Sequence, residues 1–253
     1  MNQFLLFIIL FGLNVSWGCE SNPVDFLVVG DSQTGASWAK SYFGNFAQQC
    51  LGDSFAVYGR GGTSPSSWIG KGNLDHVETI MRSPVHQQLN LGSGDQVQLC
   101  QKRLLPMIEA HKPKKLMLFF GDNLIASSDE EIVSQVDKTM KTIEESGLAP
   151  NDCYFLTPTY EMEVATKRNV TRKNFENTLR ITLAIKKTIS GRCQHLDGLE
   201  LMRSSAYLTS NKLLKRVQIP GLPGCGGAAV NDNIHVCGEA AKDFANKVCA
   251  LLK

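Results

Sequence analysis

Residues 25–35 read Asp-Phe-Leu-Val-Val-Gly-Asp-Ser-Gln-Thr-Gly (DFLVVGDSQTG). Four apolar residues in a row, closed by glycine, are the signature of a strand buried on both faces, and such strands belong to parallel sheets. The stretch that follows, 35–50, has apolar residues at roughly helical spacing and stops at Gly52, so the opening unit is strand then helix. The same alternation continues outward. SFAVYG at 54–59 is a second strand, and a loop rich in Gly, Ser and Pro follows it over 60–71. A helix is expected over 95–111, a strand over 116–120, and a helix from Ser128 to about Ser146. That third helix opens with the Ser128/Glu131 capping-box spacing and ends at Gly147. A strand over 154–157, a long helix over 172–190, a weaker strand over 194–199 and a last helix over 238–251 complete the chain. Strands separated by single helices imply right-handed crossovers and a sheet covered on both faces. Ligands of such sheets bind beyond the carboxyl ends of the strands.

Composition sets the outer limits. The chain has 253 residues, 43% hydrophobic and 20% charged, which excludes a disordered or fibrous protein and allows a sizeable core. Twenty-six Lys and Arg against 24 Asp and Glu give a net charge of +2 with no basic run, which argues against a nucleic-acid partner. Residues 4–15 (FLLFIILFGLNV) are too short to span a bilayer but suit the apolar region of a signal peptide, with a small-residue site at Ser16-Trp17-Gly18. The expected division is a signal peptide over 1–18 and a single domain over 19–253, secreted or periplasmic, with no integral membrane span in the mature chain.

The eight cysteines, at 19, 50, 100, 153, 193, 225, 237 and 249, all lie beyond that cleavage point. An even number in an oxidising compartment favours four disulfides, although 105 pairings exist. Cys225 with Cys237 is the pairing expected first, because it closes a short loop and so contributes about 3 kcal/mol in the chain-entropy account. A zinc site is disfavoured by the lack of C-x-x-C or H-x-E-x-x-H spacing. Lipidation of Cys19 is the lesser alternative, since it leaves seven cysteines and puts Ser16 where such signals carry Leu.

Four short motifs stand where ligands should bind. Gly30-Asp31-Ser32 follows strand one, where Ser32 is either a nucleophile at a turn into a helix or a plain N-cap. Gly59-Arg60-Gly61-Gly62-Thr63-Ser64 follows strand two, where glycines let a backbone N–H approach a ligand or simply form a turn. Gly121-Asp122-Asn123 follows strand three, where a side-chain amide can donate to an oxyanion or make an Asx-turn. Asp232-Asn233-Ile234-His235 precedes the last helix, a spacing that lets a carboxylate orient an imidazole. The other histidines, His76, His86, His111 and His195, have no comparable partner and read as surface or loop residues.

Taken in order, these motifs resemble the four blocks of the SGNH hydrolases, also called the GDSL esterase/lipase family, across about residues 25–250. The resemblance implies a flavodoxin-like, three-layer α/β/α sandwich with a five-stranded parallel sheet. It implies Ser32 as nucleophile, His235 as base and Asp232 as its orienter. The oxyanion hole would be the Ser32 N–H, the Gly62 N–H and the Asn123 amide, with no metal or organic cofactor. Gly62 is preferred to Gly61 because Thr63-Ser64 resembles the residues that usually follow the block-two glycine. Two departures stand out: Gln33 replaces the Leu of the GDSL string, and Leu124 stands where many members carry Asp. The expected activity is removal of a short acyl group, acetyl above all, from a polysaccharide such as a cell-wall glycan. Trp38 and Trp68 would either stack on sugar or pack in the core, and Arg60 and Lys71 would either meet an anionic polymer or simply be solvated. The long segments 64–94 and 204–230 would shape the acceptor site. Hydrolysis of longer acyl chains, as a lipase, lysophospholipase or thioesterase, is the alternative, and a catalytically silent glycan-binding protein the third.

Overall fold

The computed structural model describes residues 22–35, 42–70, 74, 77–84, 87–91, 103–159, 175–203, 236 and 238–252. Their sheet has seven strands: β1 Phe26–Gly30, β2 Phe55–Gly59, β3 Glu78–Arg82, β4 Leu89–Leu91, β5 Lys115–Phe119, β6 Cys153–Leu156 and β7 Gln194–Leu196. The spatial order is β4-β3-β2-β1-β5-β6-β7. The five expected parallel strands are present, as β2-β1-β5-β6-β7. Counted among themselves they run 2-1-3-4-5, the flavodoxin-like order. The expectation of a purely parallel five-stranded sheet is corrected in one respect: β3 pairs antiparallel with β2, and β4 antiparallel with β3, so the sheet is mixed. This pair comes from the 64–94 segment that the sequence reading left without strands. Its short runs, Glu-Thr-Ile-Met-Arg and Leu-Asn-Leu, are too broken by polar residues to announce themselves.

Alternation along each central strand feeds two cores. Leu27, Val29, Leu116, Leu118 and Phe155 face one side, where they meet α2 Pro65–Ile69, α3 Leu104–His111, α4 Asp129–Glu145 and α5 Phe175–Ile189. Phe26, Val28, Met117, Phe119 and Leu156 face the other, against α1 Phe43–Ala47, α6 Gly198–Arg203 and α7 Gly238–Leu251. The result is the expected three layers. In α4 the capping box forms as the spacing predicts: the Glu131 N–H donates to Ser128 Oγ and the Ser128 N–H to Glu131 Oε2. The helix then buries Ile132, Val136, Met140 and Ile143, an i, i+4, i+8, i+11 stripe contributing about 2 kcal/mol per side chain. The last strand is shorter than expected. It stops at Leu196 because Asp197 Oδ1 accepts the Glu200 N–H and starts α6.

Among the described residues, two disulfides join neighbouring elements within a layer. Cys50–Cys249 joins the end of the α1 region to the last turn of α7, and Cys153–Cys193 joins the start of β6 to the approach to β7. The expected Cys225–Cys237 pairing lies outside the described residues, as do residues 1–21. Among the described residues, no helix is long and apolar enough to cross a membrane.

Candidate active site

The carboxyl ends of β1, β2 and β5 converge where the chain, having placed β2 on one side of β1, returns to place β5 on the other. That switch point opens the crevice in which such sheets bind ligands. The turn after β1 is narrow. A Cβ on Gly30 would lie 1.8 Å from Thr34 Oγ1 and 2.7 Å from the Phe119 carbonyl oxygen, so only glycine permits it. Asp31, buried, fixes the turn with an Asx bond: its Oδ1 accepts the Gln33 N–H at 2.9 Å. The Thr34 N–H donates to the Asp31 carbonyl, and the Asp31 N–H to Phe119 O. Ser32 sits between these anchored neighbours and is partly exposed.

Hydrogen bonds stitch the other turns to it. The Arg60 N–H donates to Gly30 O at 3.1 Å, and a Cβ on Gly61 would stand 3.8 Å from the Ser32 Cβ, so the β2 turn lies directly beside Ser32. Gly62 has φ +72°, a left-handed conformation that other residues adopt only with strain. Thr63 then locks the turn, donating from Oγ1 to the Arg60 carbonyl at 2.7 Å and accepting the Trp68 indole N–H at 3.2 Å. Asn123, in the 3₁₀ turn Asp122–Leu124 after β5, donates from Nδ2 to Thr63 O at 2.9 Å. An amide nitrogen carries two hydrogens, so one has no partner among the described residues. From α5, Arg180 braces the segment beyond, donating to the Ser127 carbonyl and pairing with Asp129. Val236, next in sequence after the fourth motif, donates its N–H to Gln33 Oε1 at 3.1 Å.

Of the residues expected at the site, Ser32, Gly62 and Asn123 thus lie on turns that touch one another. Asp232, His235 and Trp38 lie outside the described residues. Trp68 requires a correction: it is 0% exposed, tilted against Phe120 in the core, and it props the β2 turn from beneath rather than offering a face to sugar. Arg60 is half-buried, and its Nη1 is enclosed with no hydrogen-bond partner among the described residues. Two histidines read as surface or loop residues are also corrected. His111 is buried at the end of α3, with Nδ1 2.8 Å from the Asn22 carbonyl and Nε2 2.7 Å from the Tyr58 hydroxyl. His195 lies half-buried within β7, and burial lowers the pKa of both imidazoles. The bracing bonds of Asp31, Gln33 and Thr63 had no sequence signal beyond their being polar residues beside glycines.

No protein-family model and no curated protein matches the sequence. Solved structures do match the fold. A protein from Slackia heliotrinireducens described as an SGNH hydrolase aligns at TM-score 0.56 and 12% identity, over 92% of this chain and 100% of that one. A GDSL-like lipase from Bacteroides thetaiotaomicron aligns at 0.53 and 10%, over 90% and 86%. A carbohydrate acetylesterase family member from Sinorhizobium meliloti aligns at 0.54 and 10%, over 90% and 97%. The α/β layers, the strand order and these likenesses agree: the chain has the fold of the SGNH hydrolases.

Proposed function

We propose that this protein is an exported serine esterase of the SGNH type that removes short acyl groups, acetyl first, from a carbohydrate acceptor. The observation that carries the reading is the contact among the turns bearing Ser32, Gly61-Gly62 and Asn123 at the switch point of the sheet. In the proposed reaction Ser32 Oγ attacks the ester carbonyl carbon while His235 takes its proton. Asp232 orients the imidazole and stabilises its charged form. The oxyanion is held by the Ser32 N–H, the Gly62 N–H and the second N–H of Asn123. Collapse breaks the bond to the alcohol, which leaves with the proton from His235, and water then releases the acid by the same route. Arg60, with unspent donor capacity beside Gly61, would meet an anionic group of the acceptor, and Trp38 would supply its aromatic contact.

Export is supported by the apolar segment 4–15 and by two disulfides, which persist in oxidising compartments. Proteins with this fold include both a GDSL-like lipase and a carbohydrate acetylesterase family member, so acyl length is the property to measure. The test is hydrolysis of p-nitrophenyl esters from acetyl to dodecanoyl by residues 19–253, with Ser32→Ala as control. Turnover confined to short chains and lost in the variant is expected. A maximum at long chains would assign lipid hydrolysis instead, and no Ser32-dependent turnover on any ester would remove the esterase reading.

A further inference from the structure

Gln33 is 2% exposed yet carries a primary amide, in the position after Ser32 where the resembled family string has leucine. Its Oε1 accepts the N–H of Val236 across 203 positions of sequence, and Val236 follows His235. The main chain of Gln33 is itself fixed, because its N–H donates to Asp31 Oδ1. The acceptor therefore belongs to the same rigid turn that presents Ser32. At the other end, helix α7 does not depend on this bond for its attachment. Phe244 packs against Phe43 and Phe119, and Cys249 is joined to Cys50. What the Gln33 bond adds is register at the approach to the helix. The nitrogen of Val236 lies about 2.4 Å from the α-carbon of the preceding residue by standard peptide geometry, so fixing one constrains the other.

We infer that Gln33 is a positioning residue that holds the peptide following His235 in register with the Ser32 turn; this rests on the proposed Ser32–His235 chemistry. A leucine at residue 33 would fill similar space but offer no acceptor. The departure from the family string is then a functional substitution, because residue 33 follows Ser32 in one turn while its side chain binds the Val236 N–H, next in sequence after His235.

The test compares wild type, Gln33→Leu, Gln33→Glu and Ser32→Ala on p-nitrophenyl acetate, using residues 19–253 with disulfides intact. Gln33→Leu is expected to lower kcat roughly 10²-fold with little change in KM, the loss that a misplacement of about 1 Å brings. Gln33→Glu keeps an acceptor and is expected to retain most of kcat. The acidic limb of its kcat/KM profile should move to higher pH, since a carboxylate nearby favours the imidazolium. Hydrogen exchange supplies a readout free of catalysis: the peptide containing Val236 should exchange faster in Gln33→Leu while α7 keeps its protection. Wild-type kcat and unchanged exchange in Gln33→Leu would overturn the inference while leaving the esterase reading intact. Turnover that is absent from wild type, or that survives in Ser32→Ala, would overturn both.

Discussion

Two clusters of buried polar side chains lie on the same sheet, and they end differently. In one, Tyr58, His111 and Asn22 form a closed chain. The Asn22 carbonyl can only accept, so His111 carries its proton on Nδ1, and Nε2 accepts from the Tyr58 hydroxyl. The polar hydrogens of the two side chains are spent inside the cluster. In the other, Asp31 and Thr63 lock their own turns, Gln33 accepts the Val236 N–H, and Asn123 joins the turn after β5 to the turn after β2; among the described residues its second N–H has no partner, and Ser32 is partly exposed. The first arrangement satisfies groups that burial would otherwise penalise; in the proposed reading the second holds donors in place for the oxyanion of a substrate. Burial of polar atoms is common to both clusters; what separates them is hydrogen-bonding capacity that the braced turns leave unused among the described residues, and the proposed function rests on that difference.

The contrast can be broken at either end. Asn123→Ala should have the largest effect: kcat on p-nitrophenyl acetate falls 10²–10³-fold, about 3–4 kcal/mol of transition-state stabilisation, with KM little changed. Unchanged kcat would mean that the spare donor has no role. Tyr58→Phe should do the opposite, leaving kcat alone and lowering stability by about 1–2 kcal/mol in urea unfolding, because His111 Nε2 loses its donor in the core. A fall in kcat without loss of stability would erase the distinction.

The smallest effect is a dependence on pH. Burial is the main cause that lowers the His111 pKa below its ordinary 6.5, the Asn22 carbonyl acting in the opposite direction. The unfolded chain then binds the proton more readily, so the stabilisation is full above about pH 6.5 and is lost as the pH falls towards the folded value. Thermal midpoints at pH 7.5 and 5.5 should differ less in His111→Gln than in wild type. Equal differences would show that His111 carries no such linkage.

Much of this was legible in the sequence where local physics decides. Strands β1, β2, β5 and β6 announce themselves as apolar runs because both faces are buried, and the ends of α4 because Ser128, Glu131 and Gly147 are capping residues. Position after a strand marked the turns bearing Ser32, Gly62 and Asn123 as candidates, and the resemblance to the four SGNH blocks implied their roles. Features set by tertiary contact were not legible. The Cys50–Cys249 bridge spans 199 positions, the β3–β4 pair depends on β2 as a template, and the aromatic ring of Trp68 gives no sign of which way it faces. Gln33 was visible only as a departure from a family string, and its meaning came from the Val236 amide that meets it.

The most direct measurement of the central claim is covalent labelling of residues 19–253 with a fluorophosphonate, followed by peptide mapping. The account predicts one phosphonyl adduct per chain, on the peptide containing Ser32, and none in Ser32→Ala. No adduct, or an adduct on any other residue, would contradict it.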